Sequence, residues 1–115
     1  MGKNLGDRGE TLATEFLRRS GYEIVERNYR HKRAEIDIVA GMGTLLVFCE
    51  VKTRKSRRYG SGEEAVDARK QAQIRKAAEG FISERKLEDR EFRFDVIVVE
   101  VASSSTIIRH IKEAF

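Results

Sequence analysis

Asp37, Glu50 and Lys52 are the residues whose types and spacing best suit chemistry. Glu50 and Lys52 stand two apart, Glu50 within the apolar run Leu45 to Val51 and Lys52 just beyond it, a run that reads as a strand. Strand side chains alternate between faces, so the pair points one way. Asp37 falls in the preceding strand-like run, Glu35 to Ala40. Two acids and a lysine on neighbouring strands suit metal-dependent cleavage of a phosphodiester. That reaction needs an activated water, neutralised charge at phosphorus and a stabilised leaving oxygen, and one or two divalent ions meet all three needs. Mg²⁺ (or Mn²⁺) takes hard oxygen donors, typically one or two carboxylates with waters and substrate phosphate. Asp37 and Glu50 supply the carboxylates, and the Val51 carbonyl is a further oxygen. Lys52 would orient the water or offset phosphate charge.

Electrostatics favours a cation at such a site. Two carboxylates ~4 Å apart repel by ~4 kcal/mol at an effective dielectric of 20. Glu10 is a candidate third carboxylate, because its helical offset from Ala13, Phe16 and Leu17 lets it lie toward the sheet. A Glu-x-Lys pair alone is most often a solvated strand face. Here it follows Leu45-Leu46-Val47-Phe48, a run apolar on both faces. Charges where a buried strand ends are costly unless paired or metal-bound.

The elements that must position these groups follow from periodicity. Residues 5–19 read as a helix with Leu12, Ala13, Phe16 and Leu17 as its stripe and Gly21 as its stop. Tyr22 to Tyr29 reads as a strand, followed by a basic turn, Arg30-His31-Lys32-Arg33. Along Glu35 to Ala40, alternation puts Ile36 and Ile38 on one face and Glu35, Asp37 and Val39 on the other. Gly41-Met42-Gly43 reads as a hairpin turn into the strand Thr44 to Thr53. Being apolar on both faces, that strand is expected to be central. A basic loop, Arg54 to Gly62, leads to a helical region with Ser61 and Glu64 as a capping box and a break near Asp67. Glu91 to Val101 reads as a strand, and Thr106 to Ile111 as a last short strand, with a helix start as the alternative. The order α-β-β-β-α-β-β implies an α/β domain with one mixed sheet flanked by helices.

Bulk properties bound the rest. At 115 residues the chain reads as a single domain, 1–115. A net charge of +4 and a pI near 9.4 favour a polyanionic partner. Arg30, Lys32 and Arg33 before Asp37, and Arg54, Lys55, Arg57 and Arg58 after Lys52, suit phosphate contacts. Tyr59 is placed to stack on a base. Cys49 is the only cysteine, so no intramolecular disulfide forms, and its apolar setting suits a buried filler. His31 and His110 lack zinc-ligand spacing. Asp95 in Phe94-Asp95-Val96-Ile97 reads as a structural acid or a partner for a basic side chain. With no apolar leader and no run long enough for a membrane span, a soluble, cytoplasmic protein without membrane contact is expected.

Together these residues resemble the PD-(D/E)XK nuclease pattern: an acid, a short interval, then Glu-x-Lys on the next strand. More narrowly, the chain resembles the YraN-like (UPF0102) family of small bacterial proteins, related to archaeal Holliday junction resolvases. The likeness rests on Gly9-Glu10, Gly21-Tyr22, Arg27-Asn28-Tyr29-Arg30, Glu35-Ile36-Asp37, Val47 to Arg54, and Phe94-Asp95-Val96. It implies a restriction-endonuclease-like core with Glu10, Asp37, Glu50 and Lys52 as the catalytic set. Some relatives add a helical glutamine, for which Gln73 is the choice here. The resemblance also implies Mg²⁺-dependent cleavage of DNA, including branched or single-stranded forms, and a homodimer as in the resolvases. The proline that names the wider pattern is absent, and Ile36 stands there; Ala34 and Gly62 replace a common Gly and Pro in turns. The competing expectations are a non-catalytic nucleic-acid-binding accessory protein with the same fold, and an interaction domain whose acids serve stability.

Overall fold

A computed structural model describes residues 4–55 and 66–115. The order is α1 (Leu5–Arg19), β1 (Glu23–His31), β2 (Ala34–Met42), β3 (Leu45–Lys55), α2 (Ala68–Arg85), β4 (Glu91–Val101) and β5 (Thr106–Ile111). The strands form one sheet in sequential order, β1 to β5. The β3–β4 pair is parallel and the other three pairs are antiparallel. The parallel pair requires a crossover, and α2 lies within it. The expected mixed α/β architecture and element order are thus present, with β3 at the centre.

Each face of the sheet carries one helix. Alternate residues of β3 and β4 divide accordingly. Phe48, Val96 and Val98 join Ile74, Ala77 and Phe81 of α2, while Val47, Cys49, Ile97 and Val99 join Ala13 and Leu17 of α1. Cys49 is a buried filler, and burial pushes its thiol well up. A strand apolar on both faces is what two covering helices require. No helix among the described residues is long and apolar enough to cross a membrane.

Local chemistry sets the element ends. Asn4 caps α1 by accepting from the Asp7 N–H at 2.8 Å, and Asp67 caps α2 by accepting from the Lys70 N–H at 2.8 Å. The break near Asp67 is therefore the start of α2, and the Ser61–Glu64 box lies outside the described residues. Gly43, at φ +60°, turns β2 into β3. β1 extends through Arg30 and His31, which sequence reading put in a turn; only Lys32 and Arg33 connect it to β2. β3 likewise runs on through Arg54 and Lys55, still paired with β4.

One local expectation is corrected. Ile36 and Ile38 do not share a face: Ile36 packs on the α2 side and Ile38 on the α1 side. Val39 returns to the α2 side, so the alternation slips at Asp37. Asn28 lies in β1 between Arg27, which pairs with Ile38, and Tyr29, which pairs with Ile36. Its φ is +54°, a left-handed conformation that Asn tolerates. Two strands that reorient together at one level keep their ladder. This frees the Asp37 side chain from a strict up-or-down position.

Candidate metal and catalytic site

The site forms where β2 leaves β3. The last registered pair of that ladder is Ile38 with Cys49. Beyond it the Asp37 carboxylate enters the gap and accepts the Val51 N–H on Oδ2 at 2.8 Å. An aspartate thus replaces the neighbouring strand as the partner of Val51. In an extended strand a residue's N–H and C=O project to the same side. The Val51 carbonyl therefore also faces the gap, as a metal-ligand role would need.

Glu50 reaches the same place from the α2 face. It is 7 % exposed, and its carboxyl faces Asp37 closely enough for the two groups to act on each other electrostatically. Burial, and then the Asp37 charge, push Glu50 up to about 7. Burial also raises Asp37, against the Val51 N–H bond that favours its ionised form. Lys52 Nζ lies 3.9 Å from Glu50 Oε2, and Lys70 Nζ lies 3.7 Å from the same oxygen.

Glu10 approaches from α1. Its Oε1 lies 3.7 Å from an Arg27 guanidinium nitrogen, and Asn28 stands near it. Burial raises its carboxyl first, then the Asp37 and Glu35 charges, against Arg27 and Asn28. The close approach of α1 to the sheet depends on Gly9. A Cβ there would lie 1.8 Å from Thr53 Oγ1. Absence of that side chain lets the helix backbone rest on β3 and brings Glu10 within electrostatic reach of Asp37.

The structure thus brings together Asp37, Glu50, Lys52 and the Val51 backbone, with Glu10 at the margin. Gln73 lies one turn beyond Lys70 on α2 and lines a cavity with His31, Lys32 and Arg33. Arg54 bonds to Glu100, while Lys55 is exposed. Arg30, Lys32 and Arg33 are exposed. Arg57, Arg58 and Tyr59 lie outside the described residues. No group of three or more His, Cys, Asp or Glu side chains among the described residues is drawn together closely enough to hold an ion unaided. The set is therefore two carboxylates plus backbone, within what Mg²⁺ uses alongside water and phosphate.

Sequence reasoning passed over three contributors. Lys70 stands among other basic residues of the second helix, and its type alone does not set it apart. Its place four residues ahead of Ile74, on the buried side of α2, was the available signal. Glu35 adds a further negative charge felt by both Glu10 and Asp37. Asn28 supplies the positive φ, a role that Asn within a strand pattern hints at.

Asp95 belongs elsewhere and is structural. It is fully buried, and Arg93 grips it through two bonds of 2.9 and 2.8 Å. His110 Nε2 lies 2.6 Å from it, and the Glu113 N–H donates at 3.1 Å. Burial alone would raise its carboxyl, but the bonds from His110, Arg93 and Glu113 outweigh it and hold the group below its ordinary value. Tyr22 extends the network by accepting from Arg93 at 2.8 Å.

A mixed five-stranded sheet clad by one helix on each face, with an acid pair in a strand fork, defines an α/β protein with a candidate ion site. The chain belongs to the UPF0102 family: the model of the Uncharacterised protein family UPF0102 matches residues 9–99. Full-length similarity agrees. A UPF0102 protein of Alkaliphilus metalliredigens is 42% identical over 115 residues, covering 100% of both chains. One from Geobacter metallireducens is 46% identical over 113 residues, covering 98% of this chain and 93% of the relative. One from Pelobacter propionicus is 47% identical over 116 residues, covering 98% and 83%.

Proposed function

We propose that this protein is a metal-dependent endonuclease that hydrolyses phosphodiester bonds in DNA, with branched or single-stranded forms among its substrates. The observation that carries the reading is the Asp37–Glu50 contact in the fork, beside the Val51 backbone. A buried carboxyl held beside a half-buried one is unfavourable for folding alone. Their oxygens are the hard donors that Mg²⁺ or Mn²⁺ prefers, and a cation offsets the burial that raises both and the Asp37 charge that further raises Glu50. Asp37 and Glu50 would hold the ion, with the Val51 carbonyl as a further donor and Glu10 as an additional negative charge at the margin. A bound ion supplies positive charge against the phosphate and makes water a nucleophile at neutral pH.

The remaining work falls to the chain's own groups. The Val51 N–H holds Asp37 in one orientation, so its second oxygen is directed to the gap. Lys52 and Lys70 place two ammonium groups beside Glu50, where either can bind a phosphate oxygen once substrate enters. Exposed Arg30, Lys32, Arg33 and Lys55 attract the polyanion without reading its sequence.

The test is incubation with Mg²⁺ or Mn²⁺ and labelled duplex, flap, four-way-junction and single-stranded DNAs. Cleavage of at least one, lost in both Asp37→Asn and Lys52→Ala, supports the enzyme. Binding without cleavage of any substrate, unchanged in Asp37→Asn, supports the non-catalytic accessory role. Absence of salt-sensitive binding to any nucleic acid removes both.

A further inference from the structure

A second concave site lies along α2, beside the fork. It is a cavity of about 580 Å³ between the β1–β2 connection and the helix. That volume lies within the ~300–1,000 Å³ usual for small-ligand sites. Its wall includes Gln73, which follows Lys70 by one helical turn. The cavity therefore begins next to the element that supplies Lys70 to Glu50.

Two locally unfavourable choices build it. Gly80 sits inside α2, where glycine costs ~1 kcal/mol relative to alanine. A Cβ at Gly80 would lie 2.4 Å from His31 Nδ1, so the glycine seats the imidazole against bare helix backbone. Lys32, in the two-residue connection, has φ +57°, where Gly or Asn is usual. Both departures from local preference fall on the wall of this one cavity.

The chemistry of the wall selects the ligand. Lys32, Arg33 and Lys76 provide three cations, none ion-paired among the described residues, against the single carboxylate of Glu79. Glu79 disfavours a bare anion and favours a ligand that also carries N–H donors. Gln73 both donates and accepts. An aromatic ring, a polar edge reader and flanking cations are the means by which proteins take an unstacked base.

We propose that this cavity binds one unpaired nucleotide, its base against His31 and its phosphates on Lys32, Arg33 and Lys76. Along the helix the cavity runs from ~5 to ~15 Å beyond Lys70, at 1.5 Å per residue. A strand crossing the fork would pass into it. A fully paired duplex keeps its bases stacked and offers the cavity phosphates only. The proposal rests on the nuclease reading for the strand's path, and on the cavity alone for what binds there.

Anisotropy binding without divalent metal tests it, using a labelled single-stranded 20-mer and the blunt duplex of the same sequence. The single strand is expected to bind at least tenfold more tightly. His31→Ala and Gln73→Ala, which remove the two groups that face the base, should each bring that preference to within about twofold of unity. Gln73 is only half-buried, so its variant keeps the test open if His31→Ala does not fold. Millimolar dAMP competing with the strand assigns the cavity to a free or chain nucleotide alike; competition by oligonucleotide alone assigns it to a strand. Equal affinity for single strand and duplex, or an unchanged preference in both variants, overturns the proposal. Because no metal is present, a preference that persists in a protein that cleaves nothing sinks the nuclease reading and leaves the cavity assignment standing.

Discussion

The Val51 N–H donates to Asp37 Oδ2 at 2.8 Å across the fork between β2 and β3. A backbone donor that would otherwise face an unpaired strand edge is satisfied by a side chain that the chemistry needs. Asp37→Asn preserves an oxygen acceptor for Val51 and removes one of two repelling carboxylates. Its melting temperature should equal or exceed that of the native chain, while cleavage falls at least 100-fold. Thermal denaturation and a nuclease assay on one preparation check both halves.

Glu50 makes stability depend on pH with a defined sign. Its folded value near 7 lies above the ordinary 4.5, so between those values the folded chain binds more protons than the unfolded one. Stability from this group is full below about 4.5 and is lost as pH rises through 7. Asp95 acts in the other direction and in a lower window: its depressed carboxyl contributes above its ordinary value of 3.8 and fails as pH falls further. Between pH 5 and pH 8 the Glu50 effect should dominate, lowering Tm by on the order of 5 °C. Glu50→Gln should flatten that slope, as measured by calorimetry across the range.

Much of this was legible in the sequence, because periodicity reports burial directly. The run Leu45 to Cys49 is apolar on both faces, and β3 is accordingly central and covered on both. Helix α1 and the last two strands have the expected limits, since their caps and turns are local. Asp37 was legible as an acid beside Glu-x-Lys, but its orientation was not. Strict alternation put Ile36 and Ile38 together, and only the paired irregularity with Asn28, a non-local event, separates them. Helical spacing puts Lys70 on the side of α2 that carries Ile74, but which sheet residue it meets there depends on how the crossover lays α2 on the sheet, a non-local matter.

Gly9 is the spacer between α1 and β3. An alanine Cβ would lie within 2.7 Å of three Thr53 side-chain atoms, so the helix must move outward. Gly9→Ala should cost about 1–3 kcal/mol through this overpacking, despite alanine's better helix propensity. Urea denaturation measures the loss, and an unchanged midpoint would show that Thr53 simply rotates away.

The buried Asp95 network is expected to govern folding and leave the chemistry alone. Asp95→Ala strands Arg93 and His110 without their common acceptor and should cost about 3–5 kcal/mol. That is a large part of the ~5–15 kcal/mol available to a domain. Soluble yield and Tm should fall sharply. Any folded fraction should retain Mn²⁺ binding, which titration calorimetry on the soluble protein would measure.

The central claim is that the fork between β2 and β3 holds a divalent ion. Crystals soaked in Mn²⁺ near pH 7.5 test it through anomalous scattering. The account predicts a peak bonded to Asp37, Glu50 and the Val51 carbonyl, absent in Asp37→Asn crystals soaked alike. A fork empty of Mn²⁺ at saturating concentration, with Glu50 still held between Lys52 and Lys70, would contradict it.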